Sequence, residues 1–309
     1  MDKFSHKPVL PSETIDSLGI VPGGTYADGT AGGGGHSAMI LSRLKAGKLI
    51  CIDQDPDAIV ALRDRFKDCG NVFVVQANFS EISSVLDRLG IESIDGMLLD
   101  IGVSSHQLDT VERGFSYSQP AKLDMRMSQS GDTAADLVNS LSWQRLAEIF
   151  SRYGEEKFSR QIARAIEKER EISPVMTTDR LSDIIKSAIP AAARREGGHP
   201  AKRCFQALRI AVNKELDVLE TGLSESFDRL KAGGRLSVIS FHSLEDRIVK
   251  RQFQTWCTGC TCVKDAPVCV CGNRPKGKLL FKKPVEASPD ELSENSRSKS
   301  AKLRTIIKL

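Results

Sequence analysis

Four short apolar runs, separated by stretches with helical periodicity, constrain the fold of this chain more than any other feature. The runs lie at residues 25–27, 48–52, 72–76 and 94–99, and β-branched and large apolar residues dominate them. Between them, apolar side chains recur every three or four positions, as along one face of a helix. Strand, helix and strand at this spacing predict right-handed βαβ units and a mostly parallel sheet. The predicted fold class is therefore α/β.

The alternation of strands and helices stops near residue 111, and no strand is predicted before residue 198. Helical patterns fill this stretch, at residues 143–150, 158–169 and 181–188. One long helix is then predicted from about residue 200 to the pair Gly233-Gly234. The sheet is predicted to resume with strands at residues 235–241, 279–282 and 303–307.

The domain prediction follows from where the sheet stops and resumes. A discontinuous α/β domain is predicted at residues 1–110 and 200–309, with an inserted all-helical domain at residues 111–199. A length of 309 residues and 40% hydrophobic content suffice for a buried core. Because no apolar run reaches about eighteen residues and no secretion signal is recognisable, we expect a cytoplasmic protein without membrane contact.

Basic residues concentrate near the C-terminus, although the net charge of the whole chain is only +4. Residues 245–309 contain 14 Lys and Arg against 7 Asp and Glu, and the rest of the chain has a small acidic excess. A solvated surface accounts for such an excess. A surface that faces phosphate groups is the alternative.

A run of four glycines follows the first predicted strand, in YADGTAGGGGHS at residues 26–37. Glycines let the backbone approach a ligand, and a helix that starts near His36 would direct N–H groups at it. A glycine-rich turn without a ligand is the simpler interpretation, but four glycines exceed what a turn requires. The spacing of Gly33, Gly35 and Ala38 also fits the dinucleotide motif G-x-G-x-x-A, so a nicotinamide cofactor stays open.

Acidic and aromatic residues follow the predicted strands, at the edge of the sheet where ligands bind. Asp53 can accept both hydroxyl groups of a ribose, and Asp28 can attract an ammonium or sulfonium group. Phe79 is predicted either to cover an adenine or to fill the core. Asp100 faces a ligand or caps a helix, a role that Ser104 or Ser105 can also fill.

The stretch Ser240-Phe241-His242-Ser243 ends another predicted strand. Phe241 can stack on a base that is turned out of its helix, and His242 can contact that base or a phosphate. The alternative is a core aromatic residue followed by a helix that Ser243 caps.

Five of the eight cysteines fall close together, at Cys257, Cys260, Cys262, Cys269 and Cys271. Four thiolates suffice for a tetrahedral zinc ion. The spacing is tighter than in a standard pair of C-x-x-C motifs, and a loop of reduced thiols also accounts for it. We therefore assign no metal ligand from the sequence and keep structural zinc as the alternative.

Motifs along nearly the whole chain resemble those of one bacterial family. The matching stretches are HKPVL, DGTAGGGGHS, IDQDPDA, LLDIGVSSHQLD, RGFSY, LDMRM, YGEEKFSRQIARAI, HPAKRCFQALRIAVNKEL, GGRLSVISFHSLEDRIVK and SRSKSAKLR. They resemble the RsmH/MraW family, whose members methylate the N4 amine of a cytosine in small-subunit ribosomal RNA. The cysteine cluster is a departure, since many members lack it, and many carry Pro in place of His106.

The resemblance implies a class I S-adenosylmethionine-dependent methyltransferase, Rossmann-like, with a helical insertion that recognises the substrate. The implied reaction is direct in-line methyl transfer to N4 of a specific cytidine in the decoding region of 16S ribosomal RNA. The family's cofactor contacts fall on Gly34, Gly35, His36, Asp53, Phe79, Asp100 and Gln107. We add Asp28 to this set on the charge argument given above.

Catalysis is assigned first to Asp100, which would accept a hydrogen bond from the N4 amine and return electron density to its nitrogen. His242 is the second candidate. The stretch Asp100-Ile101-Gly102-Val103 lacks the proline pair that many amine-directed methyltransferases carry there. Basic residues expected at the RNA surface are Arg194, Arg195, Lys202, Arg203, Arg297, Lys299, Lys302 and Arg304.

Two other classes of function stay open on the sequence alone. One is a nicotinamide-dependent oxidoreductase, and the other is a non-catalytic RNA-binding or assembly factor on the same fold. The expected partner is 16S ribosomal RNA in the small ribosomal subunit. The sequence does not distinguish naked RNA from an assembled subunit, and it is compatible with a homodimer.

Overall fold

A computed structural model describes residues 7–195, 198–262, 268 and 270–309 of the chain. The chain divides into two compact units, one of Met1–Gly102 with Leu216–Leu309 and one of Val103–Glu215. We call them the sheet unit and the helical unit. The helical unit extends beyond the predicted insertion at both ends, partly because a helix at Lys202–Asn213 packs against one at Trp143–Gly154 within it.

A seven-stranded sheet forms the centre of the sheet unit. Its strands are β1 (Thr25–Asp28), β2 (Lys48–Asp53), β3 (Val72–Gln76), β4 (Ile94–Asp100), β5 (Leu230–Ser240), β6 (Gly277–Leu279) and β7 (Lys302–Lys308). They are ordered β3-β2-β1-β4-β5-β7-β6. Strands β1 to β5 run parallel, and β7 pairs antiparallel with both β5 and β6. The predicted α/β class with a mostly parallel sheet is confirmed.

The helices of the described residues alternate with the first strands, then form the helical unit, and return to the sheet unit from residue 216 onward. In chain order they are α1 (Pro11–Leu18), α2 (Gly35–Arg43), α3 (Pro56–Arg65), α4 (Ile82–Arg88), α5 (Ser105–Asp109), α6 (Ala134–Ser140), α7 (Trp143–Gly154), α8 (Ser159–Ile172), α9 (Thr178–Ala188), α10 (Lys202–Asn213), α11 (Glu215–Asp228), α12 (Ser243–Cys257) and α13 (Pro289–Glu294). None of those helices is long and apolar enough to cross a membrane.

Each face of the sheet is covered by an apolar core. Residues of α4, α11 and α12 cover one face, among them Ile82, Leu223 and Phe253. Residues of α1, α2 and α3 cover the other, among them Ile40 and Leu62. Because both faces are buried, the central strands β2 and β4 are mostly apolar between their ends.

The single long helix predicted from residue 200 is wrong, because the chain breaks it at Lys214. That residue is left-handed, with φ 50°, and separates α10 from α11. The Asn213 side chain bonds the backbone of Met125 and Met127 and so anchors the end of α10. The apolar spacing continues across the break, and the sequence pattern therefore did not reveal it. Strand β5 also begins earlier than predicted, since Leu230 already pairs with Ile94.

Candidate active site

Three parallel strands end in aspartates at one edge of the sheet. Asp28 ends β1, Asp53 ends β2 and Asp100 ends β4. Strand β1 pairs with both of the others, so the three carboxyl ends are neighbours. Ligands of open α/β sheets bind at this edge.

Asp28 is 1% exposed, and its carboxylate accepts hydrogen bonds from the loop that follows it and from the start of α2. The Ser37 hydroxyl donates to Oδ2 at 2.6 Å, and the Thr30 N–H donates to Oδ1 at 3.3 Å. Burial raises the pKa of Asp28 to about 6, against these hydrogen bonds, which lower it. The side chain is therefore an anion that a cationic ligand would stabilise.

Asp53 fixes the glycine loop to the end of β2. Its Oδ2 accepts from the Gly32 N–H at 2.8 Å, and its Oδ1 accepts from the Asp55 N–H at 2.8 Å. Burial raises the pKa of Asp53 to about 6, with smaller contributions from the negative charges of Asp55 and Asp28. Each oxygen keeps a second lone pair with which a hydroxyl group can bond.

Asp100 has two carboxylate oxygens in different surroundings. Oδ2 lies 3.6 Å from Nδ1 of His36, whereas Oδ1 is buried without a hydrogen-bond partner among the described residues. The backbone N–H of Asp100 donates to the Thr30 hydroxyl at 2.6 Å. Burial raises the pKa of Asp100 to about 6, His36 opposes this, and Asp28 and Glu245 add to it. A buried polar atom without a partner points to a ligand at that position.

His36 joins the N-terminal segment to this carboxylate. Its Nε2 lies 2.9 Å from the carbonyl oxygen of Val9, which can only accept, so Nε2 carries a proton. The ring is 7% exposed and directs Nδ1 at Asp100. At 3.6 Å the contact with Oδ2 is longer than a hydrogen bond, so His36 lies beside one oxygen of Asp100 and leaves Oδ1 for a ligand.

The glycine run is required partly by packing. Gly32 and Gly34 have φ values of 51° and 78°, which disfavour any residue with a side chain. A Cβ on Gly34 would lie 3.0 Å from both Arg65 and Phe66, and one on Gly35 would lie 2.8 Å from Pro8. Contacts with neighbouring side chains thus account for part of the glycine run, independently of any ligand.

Phe79 lies partly in the core and partly outside it, so both roles predicted from the sequence, a core residue and an adenine contact, stay open. Its ring packs against the core below α4 and α11, and a Cβ on Gly222 would overlap it. The residue is nevertheless only half-buried. One face of Phe79 is in the core, and the predicted adenine contact would use the remainder of the ring.

Glu245 binds the backbone that follows β5, and the sequence analysis did not identify this residue. This carboxylate is 2% exposed, and its Oε2 accepts from the N–H groups of Phe241 and His242, at 2.8 and 3.1 Å. His242, and not Ser243, caps α12, because its Nδ1 accepts from the Glu245 N–H. Its Nε2 is 3.0 Å from Oε1 of Glu245 without hydrogen-bond geometry. The available signal was the capping-box spacing of three residues.

The comparisons with known proteins cover almost the entire chain. The model of the MraW methylase family matches residues 3–309. The chain belongs to this family. It is 53% identical over 309 residues to ribosomal RNA small subunit methyltransferase H of Symbiobacterium thermophilum, across 99% of this chain and 97% of that one. The same identity holds for the enzyme of that name from Clostridium botulinum strain Loch Maree, across 99% and 100%.

A solved structure of an rRNA methylase from Streptococcus thermophilus covers 96% of this chain and 95% of its own, with 10% identity and a TM-score of 0.42. Membership of the MraW methylase family confirms the resemblance inferred from the motifs. The chain is accordingly a class I methyltransferase, and its cofactor is S-adenosylmethionine. The nicotinamide alternative is wrong.

The strand-end aspartates suit that cofactor. S-adenosylmethionine carries two positive charges, and Asp28, Asp53 and the unpartnered Oδ1 of Asp100 offer negative charge. The individual contacts predicted for Gly34, Gly35, His36, Asp53, Phe79, Asp100 and Asp28 stay predictions.

Gln107 belongs to the helical unit, where it forms a capping box at the start of α5. The Gln107 N–H donates to the Ser104 hydroxyl, and the Ser104 N–H donates to Oε1 of Gln107 at 3.0 Å. The side chain is 4% exposed. This capping role accounts for a glutamine at position 107. The predicted contact of Gln107 with the cofactor stays a prediction.

The basic residues predicted to face RNA differ in how exposed they are. Lys202, Arg203 and Lys299 are exposed. Arg304 is 13% exposed and donates to both carboxylate oxygens of Asp246, so it is a structural cation. The side chain of Arg195 lies outside the described residues.

Proposed function

We propose that this chain transfers a methyl group from S-adenosylmethionine to N4 of one cytidine in the decoding region of 16S ribosomal RNA. The relatives named as small subunit ribosomal RNA methyltransferases support this substrate class. The choice of cytosine N4 and of the decoding region is supported by the resemblance of the motifs. One observation carries the catalytic part of the proposal, namely the buried and unpartnered Oδ1 of Asp100 at the end of β4.

The chemistry requires a better nucleophile than free cytosine. S-adenosylmethionine supplies a methyl group that is bonded to a sulfonium sulfur. A nitrogen that attacks the methyl carbon from the side opposite the sulfur can displace that sulfur. The lone pair of the N4 amine is delocalised into the ring, so the nitrogen attacks poorly. Oδ1 of Asp100 would accept a hydrogen bond from N4–H and return density to the nitrogen. As the nitrogen–carbon bond formed, the methyl–sulfur bond would break and its electron pair would stay on the sulfur, which leaves as a neutral thioether. The nitrogen would then lose a proton, which the Asp100 carboxylate can accept.

The surrounding residues would position the two reactants. Asp53 would bind the ribose hydroxyls and Asp28 the cationic end of the cofactor, with Gly34, Gly35 and His36 lining the loop between them. Phe241 would stack on the flipped cytosine. The cap geometry engages Nδ1 of His242, so we assign His242 a positioning role and keep its direct contact with the base as a secondary hypothesis.

Recognition of the RNA would involve the helical unit and the basic C-terminal segment. Exposed Lys202, Arg203 and Lys299 are suited to phosphate contacts, which set position without reading sequence. The small ribosomal subunit is the proposed context, and a cytoplasmic location follows from that substrate. A homodimer remains compatible with this arrangement.

The test is transfer of labelled methyl to two acceptors, assembled small subunits that lack the modification and the same RNA stripped of protein. Mass spectrometry of the nucleosides should detect N4-methylcytidine on at least one acceptor. Asp100→Ala should abolish the product. A methylated nucleoside other than N4-methylcytidine would overturn the proposed site. Full turnover by Asp100→Ala would overturn the role of Asp100.

A further inference from the structure

Three thiols converge in the segment that connects α12 to β6. The sulfur atoms of Cys260, Cys262 and Cys271 all lie within 4.8 Å of one another. The Sγ atoms of Cys260 and Cys271 are 3.6 Å apart. Cys257 is not a member of this group, and Cys269 lies outside the described residues. The three cysteines belong to none of the elements that form the candidate active site.

The sulfur spacing matches that of metal ligands. Zinc–sulfur bonds of about 2.3 Å in a tetrahedron place neighbouring sulfurs about 3.8 Å apart. The sulfurs of a disulfide are only about 2.05 Å apart. The distance of 3.6 Å between Cys260 and Cys271 is therefore close to the edge of a zinc-centred tetrahedron and far from a covalent bond.

The backbone of the segment directs N–H groups at two of these sulfurs. Thr261 N–H donates to the sulfur of Cys271, and Val270 N–H donates to that of Cys262, each at 3.3 Å. Hydrogen bonds of this kind orient thiolate ligands and stabilise their negative charge at metal sites. The N–H groups and the sulfurs thus form a geometry suited to anionic thiolates.

The two ends of the segment are fastened together. The Asn273 side-chain amide donates to the carbonyls of Thr258 and Gly259, at 3.1 and 2.7 Å. The Lys276 N–H donates to the Trp256 carbonyl at 2.8 Å. Cys260, Val270 and Cys271, which lie beyond these hydrogen bonds, are exposed. Apolar burial therefore contributes little to the order of the described part of this segment. A bound metal would supply that order.

The geometry points to a structural zinc site formed by the thiolates of Cys260, Cys262 and Cys271. Thiolates select soft or borderline metals, and zinc with several cysteine ligands is the common structural case. Three thiolates leave one position of the tetrahedron for a water molecule or a fourth side chain. The site is independent of the proposed methyl transfer, and it replaces the sequence-based preference for a loop of reduced thiols.

The experiment measures zinc in the full-length protein, purified under reducing conditions without chelator. Mass spectrometry of the metal content should find about one zinc per chain, as for a structural site. Cys260→Ser, Cys262→Ser and Cys271→Ser should each weaken zinc binding by more than about 100-fold in competition with a chelating dye. Cys69→Ser, a partly buried cysteine outside the cluster, should retain the metal.

A second measurement does not depend on how the variants fold. Wild-type protein stripped of metal and titrated with Co²⁺ should develop the absorption bands of tetrahedral cobalt–thiolate coordination, and Zn²⁺ should remove them. The inference is overturned if the wild type binds neither ion under reducing conditions. It is equally overturned if all three serine variants retain zinc, or if the reduced protein still contains a Cys260–Cys271 disulfide.

Discussion

At the scale of single residues, the strand-end aspartates combine features that the sequence predicts with others that it does not. Their positions after the strands could be read from the alternation of apolar runs and acidic residues. The surroundings of Asp100 could not, because its buried, unpartnered Oδ1 and its raised pKa depend on residues distant in sequence, such as His36 and Glu245. Sequence reasoning therefore placed these aspartates at the ends of the strands but did not reveal their protonation behaviour.

Cofactor affinity should depend on pH because Asp28, Asp53 and Asp100 all have a pKa of about 6. Below that pH the carboxyls are protonated and neutral, so they attract a cation less. We expect S-adenosylmethionine to bind at least about tenfold more tightly at pH 7.5 than at pH 5. Calorimetric titration across this range measures the change, and Asp100→Asn should flatten the profile. An affinity that does not vary with pH would contradict this assignment.

The stability of the unliganded protein should change with pH in the direction opposite to that of cofactor affinity, because of the same three groups. Their folded-state pKa of about 6 lies above the ordinary value of 3.8. The stability that they contribute is therefore fully present below pH 3.8 and is lost as the pH rises through 6. The increase in melting temperature caused by S-adenosylmethionine should consequently be larger at pH 7.5 than at pH 5, as thermal unfolding with and without the cofactor would measure.

At the scale of elements, the sequence-based prediction was incomplete for the glycine loop and wrong about the capping residue of α12. The sequence predicted a ligand-facing loop, but contacts with Pro8, Arg65 and Phe66 impose part of the need for glycine. The sequence also suggested Ser243 as a cap, whereas His242 and Glu245 form the capping box. Both differences arise because caps and close approaches depend on three-dimensional neighbours.

Gly34→Ala should destabilise the protein and weaken cofactor binding. The left-handed backbone at φ 78° costs about 1–2 kcal/mol with a side chain, and the added Cβ presses on α3. Gly233→Ala is the matched control, with φ 81° and open space around the new atom. Urea unfolding should show a loss for both variants, and only Gly34→Ala should raise the KM for S-adenosylmethionine. An equal effect on KM would contradict a specific role for the loop.

Glu245→Gln should loosen the start of α12 and shift the pH profile of cofactor binding. The carboxylate accepts two backbone N–H groups, so its replacement should cost about 1–3 kcal/mol. Removing its charge should also lower the pKa of Asp100, which Glu245 helps to raise. The pH at which cofactor binding is half-maximal should therefore fall. Exposed Glu92→Gln should leave both quantities unchanged.

At the scale of the whole molecule, the sequence predicted a sheet interrupted by a helical insertion. The family motifs and the apolar periodicity agreed, and that consistency made the prediction strong. The boundaries were less predictable. The helical periodicity runs unbroken through Lys214, where the chain leaves the helical unit. The convergence of Cys260, Cys262 and Cys271 could not be inferred either, because their spacing does not fix the path of the backbone between them.

RNA binding should weaken with salt, in proportion to the number of phosphate contacts. Lys202→Glu and Lys299→Glu each replace an exposed cation, and each should reduce the slope of log affinity against log salt by about 0.7–0.9. Filter binding of the RNA acceptor at several salt concentrations measures this. Lys67→Glu serves as the control, since that exposed lysine is not assigned to the RNA surface. Slopes unchanged in both test variants would remove these residues from the RNA surface.

The pairing of β4 with β5 has a consequence for synthesis on the ribosome. Residues 94–100 emerge long before residues 230–240, and the whole helical unit is translated between them. At roughly 5–20 residues per second, the edge of β4 stays without its neighbour for about 6–26 seconds. During that interval the nascent chain exposes an unpaired strand, which favours association with other chains. A protein of this topology therefore keeps one edge of its sheet open during synthesis, until the second half of the sheet arrives.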